Sequence, residues 1–201
     1  MQILVWPLLL SPLQPRSSSL RIHPTTLSLA TDLEVRDLAD SDLVSVGQLL
    51  RSSFAPASNP VSGVAIVAEH VLALRKRRAT NHELVATTAG GDVVGFVECF
   101  TPAFLASEAG SDYPDRVRSK LKPYVASLCV APAARRKGVG MALMRAVESR
   151  VQRGPPPHVL SLEVEEGDVP AVELYSRALG YALVGRDDDG RRLVGDVFFG
   201  R

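Results

Sequence analysis

Along the chain, apolar residues recur at two spacings, every second position in short runs and every third or fourth in longer ones. The first period marks a half-buried strand and the second an amphipathic helix. Leu33-Glu34-Val35-Arg36 opens with strand spacing. Asp40 or Ser41 can cap a helix carrying Leu43, Val46, Leu49 and Leu50 on one side. Pro56 and Pro60 interrupt the pattern, and a second amphipathic stretch over 64–78 ends in Arg75-Lys76-Arg77-Arg78, which reads as a solvated helix end. Strand spacing returns over 83–88 and 93–100, around the turn Ala89-Gly90-Gly91-Asp92. Residues 101–122 are polar and predict a long connection. A strand over 124–130 and a helix over 136–151 follow, and Gly154-Pro155-Pro156-Pro157 stops that helix. The pattern then predicts a strand over 158–164, a helix over 169–179, and strands over 181–185 and 192–199 flanking Asp187-Asp188-Asp189-Gly190. The order β-α-α-β-β-β-α-β-α-β-β places the chain in the α/β class.

Composition narrows the function more than the fold. At 201 residues the chain suits one domain with an extension. A net charge of +1 offers no basic surface for nucleic acid or a membrane face, so neither is expected as a partner. Two cysteines, Cys99 and Cys129, are too few for a disulfide scaffold or a Cys-rich metal site, and no metal is expected. No run is long and apolar enough for a transmembrane helix.

The first 31 residues differ from the rest. Residues 2–10, QILVWPLLL, are apolar, Ser, Thr, Pro and Arg follow, and no acidic residue precedes Asp32. That acid-poor, hydroxyl-rich pattern reads as a targeting leader over 1–31, addressed to a plastid ahead of a mitochondrion or the cytoplasm. Ser28-Leu29-Ala30 offers a small-x-small cleavage site near which a mature chain would begin. The domain proper is then 32–201.

Candidate chemistry centres on Leu128-Cys129-Val130, a strand end, running through Arg135-Arg136-Lys137-Gly138-Val139-Gly140-Met141 into an amphipathic helix. The first turn of a helix offers unpaired N–H groups and the positive end of its dipole, which together bind anions. Gly138 and Gly140 let phosphate oxygens approach, and Arg135, Arg136 and Lys137 add positive charge. A Walker loop would need a different spacing and a terminal hydroxyl residue. The dinucleotide fingerprint would need a third glycine where Leu143 stands.

Arg135-x-x-Gly138-x-Gly140 after Leu128-Cys129-Val130 resembles the acetyl-CoA motif of the GNAT superfamily of N-acetyltransferases. A second segment of the same resemblance lies downstream: Leu162-Glu163-Val164, Asp168-x-x-Ala171-x-x-Leu174-Tyr175, and Gly180-Tyr181. The spacing of Glu163 to Tyr175 is similar to that of the ribosomal-protein alanine N-acetyltransferases of this family. The resemblance spans Leu33 to the C-terminus. It implies a mixed, mostly antiparallel sheet splayed at its centre, with helices on both faces and the pantetheine arm in the splay. It also implies acetyl-CoA as co-substrate, held by Leu128, Cys129, Val130, Arg135, Arg136, Lys137, Gly138, Val139, Gly140, Met141, Asp168 and Tyr175.

By the same resemblance Glu163 is the base for the amine and Tyr175 the proton donor to the thiolate, with Glu98 a second candidate base. The implied acceptor is a protein or peptide amine, an N-terminal α-amine or a lysine. A small amine or polyamine, or a non-catalytic acetyl-CoA-binding module, is the alternative. Glu163, Glu165, Glu166 and Asp168 with Asp187 to Asp189 could surround the cleft with negative charge. Three departures stand out, one being the connection over 101–122, which is longer than a simple hairpin and is expected to shape the acceptor cleft. Asp168 replaces the family's usual Asn, and Tyr175 to Gly180 holds one residue more than the common spacing, which predicts a rotated or bulged helix end.

Overall fold

The computed structural model describes residues 33–54, 60–108, 121–156, 158–186 and 192–199. The leader reading over 1–31 and the turn at Asp187 to Gly190 lie outside them. Seven strands form one sheet: β1 (Glu34–Asp37), β2 (His82–Thr87), β3 (Val93–Phe100), β4 (Tyr124–Val130), β5 (Val159–Glu165), β6 (Ala182–Arg186) and β7 (Arg192–Phe198). Their order across the sheet is β1-β2-β3-β4-β5-β7-β6. Every neighbouring pair is antiparallel except β4 and β5. This is the mixed, mostly antiparallel sheet that the family resemblance implies.

Helices cover both faces. α1 (Leu43–Phe54) and α2 (Pro60–Arg77) lie on one face, where Leu43, Val46, Leu49, Leu50 and Leu74 pack on Val85, Phe96 and Cys129. A short α3 (Pro102–Glu108) occupies the start of the segment read as a connection over 101–122. α4 (Val139–Arg153) covers the other face, with Val139, Leu143, Met144, Val147 and Val151 against Leu84, Val97, Cys99, Val125, Leu160 and Leu162. Each fully buried Leu or Met side chain there contributes about 1.5–3 kcal/mol. α4 reaches β3 closely because Gly95 has no side chain: a Cβ there would come within 2.8 Å of Val139 and 2.9 Å of Leu143.

Four boundaries moved from their sequence positions, each for a local reason. α2 begins at Pro60 rather than 64, since proline at the first helical position forgoes an N–H that would be unpaired anyway. α1 is preceded by a single tight turn over Asp40–Asp42, and its carboxylate is Asp42 rather than Asp40 or Ser41. Asp42 accepts the Ala39 N–H at 2.7 Å and the Arg36 guanidinium at 2.6 and 3.0 Å. α4 begins at Val139 rather than 136, because Arg136 (φ 61°) and Gly138 (φ 82°) are left-handed. α5 (Val169–Glu173) continues as a π turn over Leu174–Ala178, closed by the Leu179 N–H donating to the Leu174 carbonyl at 3.0 Å. A π turn takes in one extra residue, so this is the bulge that the long Tyr175 to Gly180 spacing predicts.

The basic run at the end of α2 is not all solvated. Arg75 and Lys76 are exposed. Arg77 instead pairs with Glu98 at 3.2 Å and lies over the Phe100 ring, while Arg78 bonds Asp40 at 2.7 Å and the Leu38 carbonyl. Half the run therefore ties α2 to the sheet.

Candidate active site

The parallel neighbours β4 and β5 pair at only two positions, Tyr124 opposite Ser161 and Val125 opposite Leu162. Beyond them the strands part, whereas β5 stays paired with β7 as far as Glu165. The result is a slot in the middle of the sheet. Hydrogen-bond phase decides what faces it. The Ala131 N–H donates to the Val94 carbonyl at 2.9 Å, and Val130 stands opposite Gly95. In an antiparallel ladder bonded and non-bonded pairs alternate. Cys129 and Ala131 therefore bond to β3, and Leu128 and Val130 turn their backbone groups toward the slot. The Cys129 side chain lies on the opposite course from the slot, in the α1 core, with its thiol pushed up to about 12 by burial. Cys129 thus belongs to the scaffold rather than to the lining that the sequence assigns it.

At the mouth of the slot, Arg135, Arg136, Lys137 and Gly138 are exposed and lead into α4. The first α-helical bond there is the Ala142 N–H to the Gly138 carbonyl at 2.9 Å, so the N–H groups of Val139, Gly140 and Met141 precede it without helical acceptors. Gly138 has nothing within 4 Å of where a Cβ would stand. Arg136 holds a left-handed backbone without being glycine, which carries strain of about 1–3 kcal/mol. Arg135 reaches back to donate from Nε to the Val130 carbonyl at 3.1 Å. Gly140 sits against Leu174, Val130 and Leu128: a Cβ would meet them at 3.3, 3.8 and 4.0 Å. The arrangement fits a pyrophosphate on an extended arm: open N–H groups and cations at the mouth, and within the slot strand backbone that, apart from the Val130 carbonyl held by Arg135, has no strand partner among the described residues. CoA bound there would supply the thioester carbon at the inner end.

Glu163 and Tyr175 lie on opposite faces of the sheet. Leu162 and Val164 point into the α4 core, so Glu163 between them points to the α1–α2 face. It is half-buried and accepts from Arg192 at 3.2 Å. Tyr175 lies in the α4 core at 7% exposure, edge-on to Tyr181 with ring centres 5.9 Å apart. Burial first, and the Asp168 carboxylate second, hold its phenol protonated well above the ordinary range. Asp168 caps α5, accepting the Ala171 N–H at 3.2 Å. Within the expected ring of negative charge, Glu163 pairs with Arg192 and Glu166 with Arg186 at 3.0 Å, while Asp187 to Asp189 lie outside the described residues.

Two residues of this region have no signature in the sequence. Tyr124 reads only as the first residue of a strand, yet it stands opposite Ser161, which sets it diagonal to Glu163, and burial first and the Glu163 carboxylate second raise its phenol above the ordinary range. Arg192 reads as a strand start, and its pairing with Glu163 spans 29 residues. Both placements depend on sheet register, which no local spacing encodes.

Glu98 forms a separate feature. It is directly opposite Glu83 across β2 and β3, and both are 3% exposed. Both Glu83 carboxylate oxygens, one of Glu98, and the Asn81 amide nitrogen make no hydrogen bond among the described residues. Burial first, then the neighbouring Glu98, pushes Glu83 up to about 7; burial pushes Glu98 up to about 7 against the opposing pull of Arg77 and Asn81. A carboxyl whose folded pKa is raised stabilises the fold at pH below its unfolded value, and that stability is lost as pH rises through the folded value. Thermal stability should therefore fall between about pH 5 and 8, and Glu83→Gln should flatten the fall; melting curves across that range check it, an unchanged slope in Glu83→Gln being the contrary result. Glu98 is thus a buried, ion-paired acid two strands from Glu163.

A groove of about 640 Å³ lies between α1, the β2–β3 turn, Ala131 and Pro132. It is on the β3 side of β4, away from the slot, and the Arg36–Asp42 pair is in its wall.

Comparison with known proteins agrees with this fold. Mycothiol acetyltransferase of Mycobacteroides abscessus is 32% identical over 135 residues, which is 67% of this chain and 39% of that protein. The chain thus spans about two-fifths of that relative's length. Among solved structures, the acetyltransferase yncA of Salmonella typhimurium, described with its cofactor acetyl-CoA, superposes with a TM-score of 0.61 at 14% identity, covering 85% of this chain and 96% of that one. The ribosomal-protein-S18-alanine N-acetyltransferase of Escherichia coli superposes with a TM-score of 0.54 at 17% identity, covering 84% and 96%. The profile of the acetyltransferase (GNAT) family matches residues 48–181. With two-thirds of its 201 residues in that match, the chain belongs to the acetyltransferase (GNAT) family.

Proposed function

We propose that the chain moves the acetyl group of acetyl-CoA to protein N-terminal α-amines, with lysine side chains as a secondary acceptor. The observation that carries the reading is the early parting of β4 and β5, with Glu163 on one face of the sheet and Tyr175 on the other. Acetyl transfer forms a C–N bond and breaks a C–S bond; the nitrogen must lose a proton and the sulfur must gain one. Glu163, on the face open to an acceptor, takes the first. Tyr175, on the opposite face, supplies the second. The pyrophosphate rests on the N–H groups from Val139 to Met141 with Arg135, Arg136 and Lys137 around it, and the Val130 N–H polarises the thioester carbonyl.

Proton arithmetic favours the α-amine. Its pKa is about 7.7–8.0 against about 10.4 for lysine. Exposing the neutral amine at pH 7 then costs about 1 kcal/mol for a chain terminus and about 4.6 kcal/mol for lysine, at roughly 1.36 kcal/mol per unit. A single carboxylate already paired with Arg192 handles the smaller demand more readily. A small-molecule amine is the second reading, favoured by the 32% identity to an enzyme named for mycothiol.

Thiol release with three acceptors tests this: a peptide with a free terminus and no lysine, a terminally blocked peptide with lysine, and a small polyamine. The free terminus should be fastest. A rate that survives blocking of the terminus but not of lysine reverses the preference, and a rate confined to small amines supports the second reading.

A further inference from the structure

Acetyl transfer requires the β4–β5 slot to end at a fixed depth, because its inner end sets where a thioester carbon can stand. That end is the step formed by Tyr124 with Ser161 and Val125 with Leu162, where the two strands are last paired. We propose that Asp196 on β7 is a positioning residue that fixes this end, pinning the start of β4 to β5 through Ser161 and Lys122. The inference deepens the reading of the slot as the acetyl-CoA site and rests on it.

Just past the junction β4 is bent. Ser127 stands opposite Glu98 and Val125 opposite Cys99, so β4 carries one extra residue, Ala126, against β3. A bulge of this kind bends its strand, and β4 leaves β5 at that residue. The ties that hold the last pairs converge on Asp196. The Ser161 N–H donates to the Pro123 carbonyl at 2.9 Å, so Ser161 turns its backbone to β4. Toward β7 it therefore forms a non-bonded antiparallel pair, the kind in which side chains stand closest, and its partner is Asp196. The Ser161 hydroxyl donates to one Asp196 oxygen, and the Lys122 ammonium reaches the other at 2.5 Å. Leu160 and Leu162 point into the α4 core, so Ser161 and Asp196 lie on the other face, with Glu163. Lys122 stands two residues before Tyr124, so its side chain crosses the line of β5 to reach β7. Asp196 is 3% exposed and Ser161 8%.

A buried ion pair is a poor source of stability, because well-packed apolar residues of the same size do as well. What it adds here is position. An apolar contact can slide, whereas a carboxylate held between a hydroxyl and an ammonium has directional partners on both sides. With the pin in place the strands part only beyond Val125. Without it the parting runs back through Tyr124, and the inner end of the slot moves. The loop proposed for the pyrophosphate lies at the other end and is not displaced. The pin therefore governs the rate rather than the affinity for acetyl-CoA.

Amide hydrogen exchange on the full chain reads the pin without reference to activity. In Lys122→Met the Ser161 N–H should exchange about tenfold faster or more, the scale of one lost charge-assisted bond. The Leu160 and Leu162 N–H groups, turned to β7, should keep their wild-type rates. An unmoved Ser161, or all three speeding together, overturns the pin. Kinetics reads the consequence. Lys122→Met and Asp196→Asn should each lower kcat by roughly 10–10²-fold, as a displacement of about 1 Å does, with KM for acetyl-CoA unchanged. The double variant should be no slower than the slower single one, and Lys122→Arg should retain most of the rate. Where Lys122→Met does not fold, the near-isosteric Asp196→Asn carries both measurements. Wild-type kcat in the single variants, or losses that multiply in the double, overturns the pin. Wild-type protein that releases no thiol with any acceptor defeats the proposed function, and the exchange of Ser161 still decides the pin.

Discussion

Tyr175→Phe is expected to lower kcat by roughly 10²–10⁴-fold, the range for loss of a positioned general acid, with acetyl-CoA affinity unchanged. The ring is the part of Tyr175 that the fold uses: it is buried in the α4 core and edge-on to Tyr181. Phenylalanine keeps both contacts. The hydroxyl forms no hydrogen bond among the described residues, so removing it orphans no partner, and little stability should be lost. What disappears is a proton that burial and Asp168 keep on the phenol at every working pH. A thiolate leaving group without that proton departs more slowly. Single-turnover thiol release beside acetyl-CoA calorimetry separates the two quantities. An unchanged rate removes Tyr175 from the chemistry, and a large loss of affinity assigns it to cofactor binding instead.

Gly138→Asp is expected to abolish acetyl-CoA binding while leaving the chain folded. Gly138 is left-handed, and aspartate tolerates that conformation better than most residues, so strain of about 1–2 kcal/mol is the upper range. No atom lies within 4 Å of the new Cβ position, so the core is untouched. The carboxylate, however, stands among the N–H groups proposed for the pyrophosphate. A charge-assisted contact contributes about 1.5–3 kcal/mol, so losing it costs roughly 10- to 10²-fold in affinity at about 1.4 kcal/mol per tenfold, and the repulsion that replaces it adds to that loss. Calorimetry with acetyl-CoA measures it, and Gly138→Asn, which has nearly the same shape without the charge, should lose much less. Equal binding by the aspartate variant and wild type contradicts the cofactor site.

Much of the fold is legible in the order of periods. The eleven elements from Leu33 onward appear where two hydrophobic spacings and their Gly and Pro interruptions put them, apart from the short α3. The π turn after α5 was legible too, because one residue too many between Tyr175 and Gly180 has to be absorbed within a helix whose ends are both committed. The loop proposed for the pyrophosphate is local, and its arginines, lysine and glycines are adjacent in the chain. Readings failed where a residue's surroundings come from elsewhere. Arg77 and Arg78 look like a solvated helix end until β1 and β3 bring Asp40, the Leu38 carbonyl and Glu98 beneath them. Cys129 looks like part of the cofactor lining until the ladder phase turns it to α1.

The sequence by itself determined the α/β class and the position of the Gly138–Gly140 loop, and through its family resemblance singled out Glu163 and Tyr175 as candidates, because each is carried by residues close in the chain. Only the tertiary structure decided the rest. It set how soon β4 and β5 part, that Glu163 and Tyr175 lie on opposite faces of the sheet, and that Tyr124 stands diagonal to Glu163 while Arg192 pairs with it. It also brought Glu83 opposite Glu98. The physical reason is register. Side chains in a sheet alternate faces with a period of two, so which residues meet is set by how distant strands align, and that alignment is fixed by the packing of the whole core.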